Sequence, residues 1–355
     1  MFVEQCENFE RIIILCQAPA DIPYVLILYE KYRENHPISI YIINIEGMYL
    51  FLKGLNLSVE DLTLISNKPT SFKNLISILS ARNRINQIWN DYFSNYNSGL
   101  VFFFSRFEDH ITSSIIHRFS KSPTINIEYI SHYDDSDYFP KIKFKSLKIR
   151  ILLLIYRFIT NVKFEAKMIG RYPEFPVNNY TIKKTKLSFN LDLVSKYEYK
   201  IKLPNNQNPY VLIFISPCEC TIFDSYKYDD ELLKLILRIK QLGFTIVVKG
   251  HPRMELPSCI KPNINFEIPS YIPAEFLQTC DFRMCIGLNT NAICHFAKNK
   301  ILPTYSVMRM FKPSDKSLFE VNIKFLEKQS NGEILFINNY MELEAIMNNS
   351  MVSIQ

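Results

Sequence analysis

The stretch FTIVVKGHPRMEL at residues 244–256 begins as an apolar strand and ends in a cluster of charged side chains. Residues 244–248 are all β-branched or aromatic, which is typical of a strand buried in a sheet. Three basic side chains then follow within five residues: Lys249, His251 and Arg253. Because ligands of open α/β sheets bind beyond the carboxyl ends of the strands, this strand end is a candidate ligand site.

Segments of helical spacing include residues 229–241, which precede the predicted C-cap glycine Gly243, and residues 273–280. Similar apolar runs alternate with such segments along the chain. They lie at residues 11–17, 38–44, 99–105 and 125–131, and again, after a break, at residues 210–216, 244–250, 281–287 and 300–306. Continuous apolar strands separated by helices indicate parallel sheets that are covered on both faces. We therefore predict an α/β fold with two doubly wound, Rossmann-like domains.

The break between the two series of strands is rich in Lys, Tyr and Asn and places the domain boundaries. We predict an N-terminal α/β domain, a linker region, a C-terminal α/β domain and a C-terminal helical tail. Their predicted ranges are, in that order, 1–165, 166–205, 206–330 and 331–355.

The composition is that of a globular protein. The chain has 355 residues, of which 48% are hydrophobic and 21% charged, with a formal net charge of +6. This mild positive charge favours an anionic ligand or membrane surface and argues against nucleic acid. The cysteines lack the paired spacing of a zinc site, so we predict reduced thiols and no metal. With neither a signal peptide nor an uncharged apolar span, the sequence predicts a cytoplasmic protein.

The basic, apolar stretch at residues 147–164 leaves two interpretations open. It either lies on an anionic membrane surface, which would make the protein peripheral at the inner membrane, or packs as a helix between the two domains.

The turn that follows the strand at residues 244–248 has the properties of a phosphate site. Gly250 permits a sharp turn, and Pro252 fixes the backbone just after His251. The flanking cations, Lys249 and Arg253, suit a phosphate group.

A second group of small polar residues follows the strand at residues 283–286. It consists of Gly287, Asn289, Thr290 and Asn291, and precedes an apolar helix. Thr290 is the predicted N-cap of that helix, and helix N-termini bind anions through free N–H groups. A third strand ends at Ser216, whose hydroxyl is a further candidate ligand of the same nucleotide.

In the N-terminal domain, the loop HYDDSDY at residues 132–138 follows the predicted strand at residues 125–131. Its candidate catalytic residues are His132, Asp134 and Asp135. An imidazole or a carboxylate at this position can take a proton from a hydroxyl nucleophile. The residues themselves do not decide which of them is the base.

Three of these motifs together resemble those of bacterial GT-B sialyltransferases, including capsule polysialyltransferases and lipooligosaccharide sialyltransferases. The matching segments are KGHPR at residues 249–253, GLNTNAI at residues 287–293 and, less closely, HYDDSDY at residues 132–138. Thr290 and Asn291 stand where the family has a serine pair. The family's acidic motif contains a glycine, and the segment at residues 132–138 contains none.

The resemblance implies the GT-B fold, in which two Rossmann-like domains face a central cleft. The N-terminal domain would bind the acceptor, and the C-terminal domain would bind the nucleotide sugar. The resemblance further implies that His251 binds the CMP phosphate and supports the leaving group. It implies that Thr290 and Asn291 hold the phosphate or ribose, and that a carboxylate of the N-terminal domain is the base.

The implied activity is an inverting, metal-independent transfer of sialic acid, or a related nonulosonic acid, from a CMP-activated donor. The acceptor would be a hydroxyl of an oligosaccharide or lipid-linked glycan in lipopolysaccharide or capsule synthesis, and no cofactor is expected. Two alternatives stay open: a GT-B transferase or epimerase with a UDP- or CDP-linked donor, and a non-catalytic nucleotide-binding assembly subunit.

Overall fold

A computed structural model of the chain describes most of both predicted domains. The described residues are 9–65, 83, 85–91, 96–104, 110–130, 142–143, 151, 154, 167–169, 172–173, 182–188, 190–203, 207–216, 218, 222–251, 255–279 and 281–352. The chain divides into two compact units, Met1–Leu193 and Val194–Gln355.

The first unit is built on a parallel sheet. Its strands are β1 (Arg11–Cys16), β2 (Ile38–Ile43), β3 (Asp61–Ile65), β4 (Gly99–Phe103), β5 (Ile125–Ile130) and β9 (Lys183–Thr185). In the described residues they form a six-stranded sheet in the order β3-β2-β1-β4-β5-β9, and each neighbouring pair is parallel. The central strands β1, β2 and β4 are buried along their whole length, as their apolar runs predicted.

Helices connect these strands. Among the described residues they are α1 (Ile22–Tyr32), α2 (Glu46–Gly54), α3 (His110–Phe119) and α4 (Leu191–Lys196), within which the second unit begins at Val194. Three short strands form a separate antiparallel sheet: β6 (Ile142–Lys143), β7 (Lys167–Ile169) and β8 (Tyr172–Pro173).

The second unit is built on another parallel sheet. Its strands are β10 (Tyr210–Phe214), β11 (Thr245–Lys249), β12 (Phe266–Ile268), β13 (Phe282–Gly287), β14 (Thr304–Ser306) and β15 (Leu335–Phe336). Within the described part of the chain these six strands lie in the order β12-β11-β10-β13-β14-β15, with every pair parallel.

The helices of the second unit are α5 (Tyr228–Gln241), α6 (Asn291–Lys298), α7 (Lys316–Gln329) and α8 (Tyr340–Val352). Helix α5 ends as the sequence predicts, because Gly243 adopts a positive φ of 83° just beyond it. The salt bridge between Arg238 of α5 and Glu344 of α8, at 2.6 Å, joins the last helix to this unit.

Both units therefore repeat one topology. Numbered within each unit, the strands run 3-2-1-4-5-6, the order of a dinucleotide-binding Rossmann fold. This confirms the predicted fold class of two doubly wound Rossmann-like domains, the pair of domains that makes up a GT-B chain.

The structure differs from the sequence predictions in three segments. Residues 273–280, predicted as a helix, contain only the short 3₁₀ turn Ala274–Phe276, because Leu277 pairs instead with the backbone of Tyr199. Helix α7 was not predicted. Residues 331–352 do not form a separate tail, since β15 extends the second sheet and α8 packs on α5.

Candidate functional site

The three predicted strand ends of the second unit lie side by side. Phe214, the last residue of β10, is in register with Lys249 on β11 and with Gly287 on β13. All three strands point the same way, so the residues that follow them share the carboxyl edge of the sheet. The strand order reverses between β10 and β13, where open α/β sheets form their ligand-binding crevice.

A hydrogen bond spans this reversal point. Ser216, two residues beyond β10, is buried, and its Oγ donates to the backbone carbonyl of Asn289 at 2.9 Å. The hydroxyl of Tyr228 in turn donates to the carbonyl of Ser216. In the structure the hydroxyl of Ser216 donates to the backbone of the turn at Asn289. Its predicted contact with the nucleotide stays a prediction.

The turn after β13 is held at each of its first three carbonyl groups. Val307 N donates to the carbonyl of Gly287 at 2.9 Å, and Ser306 Oγ donates to that of Leu288 at 3.1 Å. The carbonyl of Asn289 accepts from Ser216, as described above. The backbone of this turn is therefore fixed from both neighbouring strands.

Asn289 is also held through its side chain. Its Nδ2 lies 3.3 Å from Oδ1 of Asn322 on helix α7. Asn322 itself donates through Nδ2 to the carbonyl of Leu318, one helical turn earlier, at 2.8 Å. Helix α7 thus supports the turn through the side chain of Asn322.

Gly287 lets the strand and the following helix approach closely. A Cβ atom at this position would lie 2.5 Å from Cγ2 of Ile293 and 3.3 Å from Cγ2 of Thr290. Because Ile293 is fully buried, it has no room to move away. The sequence predicted this glycine as part of a ligand-binding tip, and the structure adds a packing reason for it.

Thr290 is the N-cap of helix α6, as the sequence predicts. Its backbone is extended, and its Oγ1 accepts from the N–H of Ala292 at 3.3 Å. Thr290 is half-buried and Asn291 is exposed, so the first turn of the helix reaches the surface of the unit. The remaining N–H groups of this turn have no acceptor within the helix and attract anions.

Replacement of Thr290 by valine is expected to lower the free energy of unfolding by about 0.5–2 kcal/mol, because the isosteric side chain cannot cap the helix. Thr290→Ser keeps the hydroxyl and is expected to lie near the wild-type value. Urea unfolding followed by circular dichroism measures both variants. Equal stability of the two variants would show that the cap contributes nothing.

The end of β11 forms a second part of the carboxyl edge of this sheet. Lys249 and Gly250 are buried, and His251 is half-buried. Gly250 does not adopt a positive φ; its Cβ would instead meet Cδ2 of Leu256 at 3.0 Å. Close packing against Leu256 therefore gives a reason for the glycine, and the sharp turn after Gly250 stays a prediction because residues 252–254 lie outside the described residues.

The ammonium group of Lys249 is turned toward backbone carbonyls. Its Nζ donates to the carbonyl of Ser270 at 3.1 Å and lies 3.5 Å from that of Gly250. Burial lowers the pKa of Lys249 to about 8, and the nearby carboxylate of Glu275 opposes this shift. Contact between Lys249 and a phosphate stays a prediction.

Several predicted site residues lie outside the described residues. They are Pro252, Arg253, His132, Asp134 and Asp135. Their predicted roles in binding and catalysis stay predictions. Among the described residues, no group of three or more His, Cys, Asp or Glu side chains is arranged to hold a metal ion.

The membrane prediction rests on a stretch that is described only in part. Of residues 147–164, the structure describes Ile151 and Leu154, and both side chains are exposed. Across the described residues, every helix is too short or too polar to cross a membrane. Surface association with anionic lipid stays a prediction.

Three residues that shape this site were not predicted from the sequence: Tyr228, Ser306 and Asn322. Asn322 had a detectable signal, because Asp315 is a good N-cap and apolar residues follow it at helical spacing in α7. The structure confirms this cap, since the carboxylate of Asp315 accepts from Ser317 N and Leu318 N. Ser306 and Tyr228 carried no signal, since only the folded chain brings them to the turn.

No family model and no curated protein matches the sequence. Solved structures of similar fold do exist. A UDP-GlcNAc 2-epimerase from Neisseria meningitidis bound to UDP-GlcNAc is 12% identical, with a TM-score of 0.47, over 97% of this chain and 100% of the other. A Methanocaldococcus jannaschii UDP-GlcNAc 2-epimerase in complex with UDP-GlcNAc and UDP is 11% identical, with a TM-score of 0.48, over 96% and 92%.

A glycosyltransferase is also similar in structure. SnogD from Streptomyces nogalater is 10% identical, with a TM-score of 0.44, over 97% of this chain and 94% of the other. Because the TM-scores of all three structures are below 0.5, the fold assignment rests on the strand order of the two sheets.

Proposed function

We propose that this protein is a glycosyltransferase that uses a nucleotide-activated sugar. The nucleotide phosphate would bind at the carboxyl edge of the second unit, between the start of helix α6 and the end of β11. The observation that carries this proposal is the hydrogen bond from Ser216 to Asn289, which builds a fixed turn at the reversal point of a Rossmann sheet. Nucleotides bind at this point of the fold.

The residues at this edge fit the charge of a departing nucleotide phosphate. In the proposed step an acceptor hydroxyl oxygen attacks the anomeric carbon, and the bond from that carbon to the phosphate oxygen breaks. The phosphate leaves with the bonding electrons, so negative charge grows on it. The N–H groups at the start of α6 and the imidazole of His251 would stabilise that charge.

A base in the first unit would take the proton of the acceptor hydroxyl. His132, Asp134 and Asp135 are the residues proposed for this role. The acceptor is proposed to be an oligosaccharide or a lipid-linked glycan.

Two donors are in question. The sequence resemblance favours a CMP-activated nonulosonic acid such as CMP-sialic acid. The second candidate is a transferase or epimerase with a UDP- or CDP-linked donor. Two of the similar structures named above are epimerases bound to UDP-GlcNAc, whereas none of the three is a sialyltransferase.

A thermal-shift panel of CMP, UDP and CDP distinguishes the donors, because a ligand stabilises the folded state in proportion to the logarithm of its concentration over Kd. The preferred nucleotide is then offered as its sugar conjugate together with simple glycosides, and nucleotide release is measured. Binding of a nucleotide without release from any conjugate would favour the assembly subunit. Absence of binding to all three would overturn the proposal.

His251→Ala is expected to lower the rate of nucleotide release by about a hundredfold or more, because the departing phosphate loses a hydrogen-bond donor. The chain offers a matched control in its other His-Pro pair. His36 precedes β2, at the opposite edge of the first sheet, and its Nδ1 lies 2.7 Å from the carbonyl of Phe9. His36→Ala is expected to leave release unchanged. Full activity of His251→Ala would remove this residue from the mechanism.

A further inference from the structure

Lys249 is a buried lysine at the proposed nucleotide site. It is only 5% exposed, and it ends β11 between Phe214 of β10 and Ile268 of β12, with which it is in register. Its Nζ donates to the carbonyl of Ser270 and lies near that of Gly250. The ammonium group is therefore buried near the carboxyl edge of the sheet, and its hydrogen-bond partners are uncharged backbone carbonyl groups.

The charged groups around Lys249 do not neutralise it by direct contact. The flanking strand residues Phe214 and Ile268 are apolar, and within the described part of the chain the hydrogen-bond partners of Nζ are backbone carbonyl groups and not carboxylates. Glu275, in the turn after β12, attracts the ammonium group from a longer distance. His251 follows two residues later in the chain. Any anion that binds nearby stabilises the charged form of such a buried lysine.

We propose that Lys249 couples nucleotide binding at this edge to the uptake of a proton by its own side chain. The proposal rests on the proposed function, since it requires a nucleotide phosphate at the carboxyl edge of the second unit. The proton comes from the solvent and joins the neutral amine, which becomes an ammonium group when the phosphate arrives. Lys249 need not touch the nucleotide, so we describe it as a positioning residue.

The backbone and the side chain of Lys249 make separate links at this edge. Its carbonyl accepts from the N–H of Ile215, which directly precedes Ser216, while its ammonium group ties the end of β11 to Ser270. Residue 249 thus joins the end of β11 to the segment before Ser216 through its backbone, and to Ser270 through its side chain. A change in the charge of Lys249 alters the electrostatic potential at this edge. It also alters the hydrogen bond from Lys249 to the carbonyl of Ser270.

The size and sign of the effect follow from the lowered pKa of Lys249, about 8 in the free protein. At pH 8 about half of the molecules carry the proton. A bound phosphate that raises the pKa by 1–2 units would draw in about 0.4–0.5 proton per nucleotide. At pH 6.5 the lysine is already charged, so its uptake vanishes. Phosphate and ordinary histidine titrate near pH 6–6.5 and add little at pH 8.

Isothermal titration calorimetry of CMP and UDP at pH 8.0, in two buffers of different ionisation enthalpy, measures this uptake directly. The wild type is expected to take up about 0.4–0.5 proton per bound nucleotide. Lys249→Arg keeps a permanent charge and is expected to bind without uptake. Lys249→Met is expected to bind about ten- to a hundredfold more weakly, again without uptake. Thermal unfolding of each variant checks that it is folded.

The outcomes separate this proposal from the proposed function. Nucleotide binding by the wild type without proton uptake would overturn the role of Lys249 and leave the function intact. Uptake that persists in Lys249→Arg would assign the proton to another group. If the wild type binds neither CMP nor UDP, the proposal for Lys249 is overturned. If it does not bind CDP either, the proposed function is overturned as well.

Discussion

Gly287→Ala is expected to lower the free energy of unfolding by about 1–3 kcal/mol and to abolish detectable nucleotide binding. The new methyl carbon would lie 2.5 Å from Cγ2 of Ile293, a distance that forces either the strand end or the helix start to move. Ile293 is β-branched and fully buried, so a change of its rotamer is costly. Urea unfolding and the nucleotide thermal shift measure the two effects.

Two further variants control for the loss of the glycine itself. Gly54 ends α2 in the first unit, and a Cβ there meets no atom within 4 Å, so Gly54→Ala is expected to be neutral or slightly stabilising. Ile293→Ala removes the clashing methyl group, so Gly287→Ala should be less harmful in its presence. Additive effects in this double-mutant cycle would contradict the close approach of strand and helix.

Lys249→Met is expected to raise the free energy of unfolding at pH 7 by about 1–3 kcal/mol, although it weakens nucleotide binding. Lowering the pKa of Lys249 from 10.5 to about 8 corresponds to a penalty of about 3 kcal/mol for the buried charge. Part of the gain is offset, because the carbonyl of Ser270 loses its donor. Denaturant unfolding at several pH values measures the difference.

The pH dependence identifies the charge as the cause. Below pH 8 the lysine is charged in both the folded and the unfolded chain. Between about pH 8 and pH 10.5 the folded chain releases the proton first, so the wild type gains stability as the pH rises. The advantage of Lys249→Met should therefore shrink in that window. Lys324→Met, on the exposed face of α7, is expected to change stability by less than about 0.5 kcal/mol at every pH. A constant advantage of Lys249→Met would point to packing instead of charge.

The fold could be predicted from the sequence because its strands are continuous apolar runs. β1, β2 and β11 are buried at every position, so burial on both faces leaves a signal that needs no knowledge of the neighbours. The helix predicted at residues 273–280 was wrong because the backbone of Phe276 and Gln278 pairs with Tyr199, which lies far away in the chain. Local spacing contains no record of such a partner.

The site could be predicted only where the interacting residues lie close together in the sequence. Thr290 caps the helix that begins at the next residue, and that short-range role could be recognised from sequence. The link from Ser216 to Asn289 spans 73 positions, and the support from Asn322 spans 33. Both depend on which strands and helices become neighbours, which a single sequence does not record.

The bonded carbonyl groups of Gly287, Leu288 and Asn289 have a kinetic consequence. A loop that must become ordered around its ligand loses conformational entropy at the moment of binding, and the ordering step slows association. Here the folding of the second unit has already ordered the turn, through partners at the ends of β10 and β14. This turn is preorganised, so we expect the encounter of a nucleotide with it to depend on diffusion and charge, and the rate of dissociation to set the lifetime of the complex.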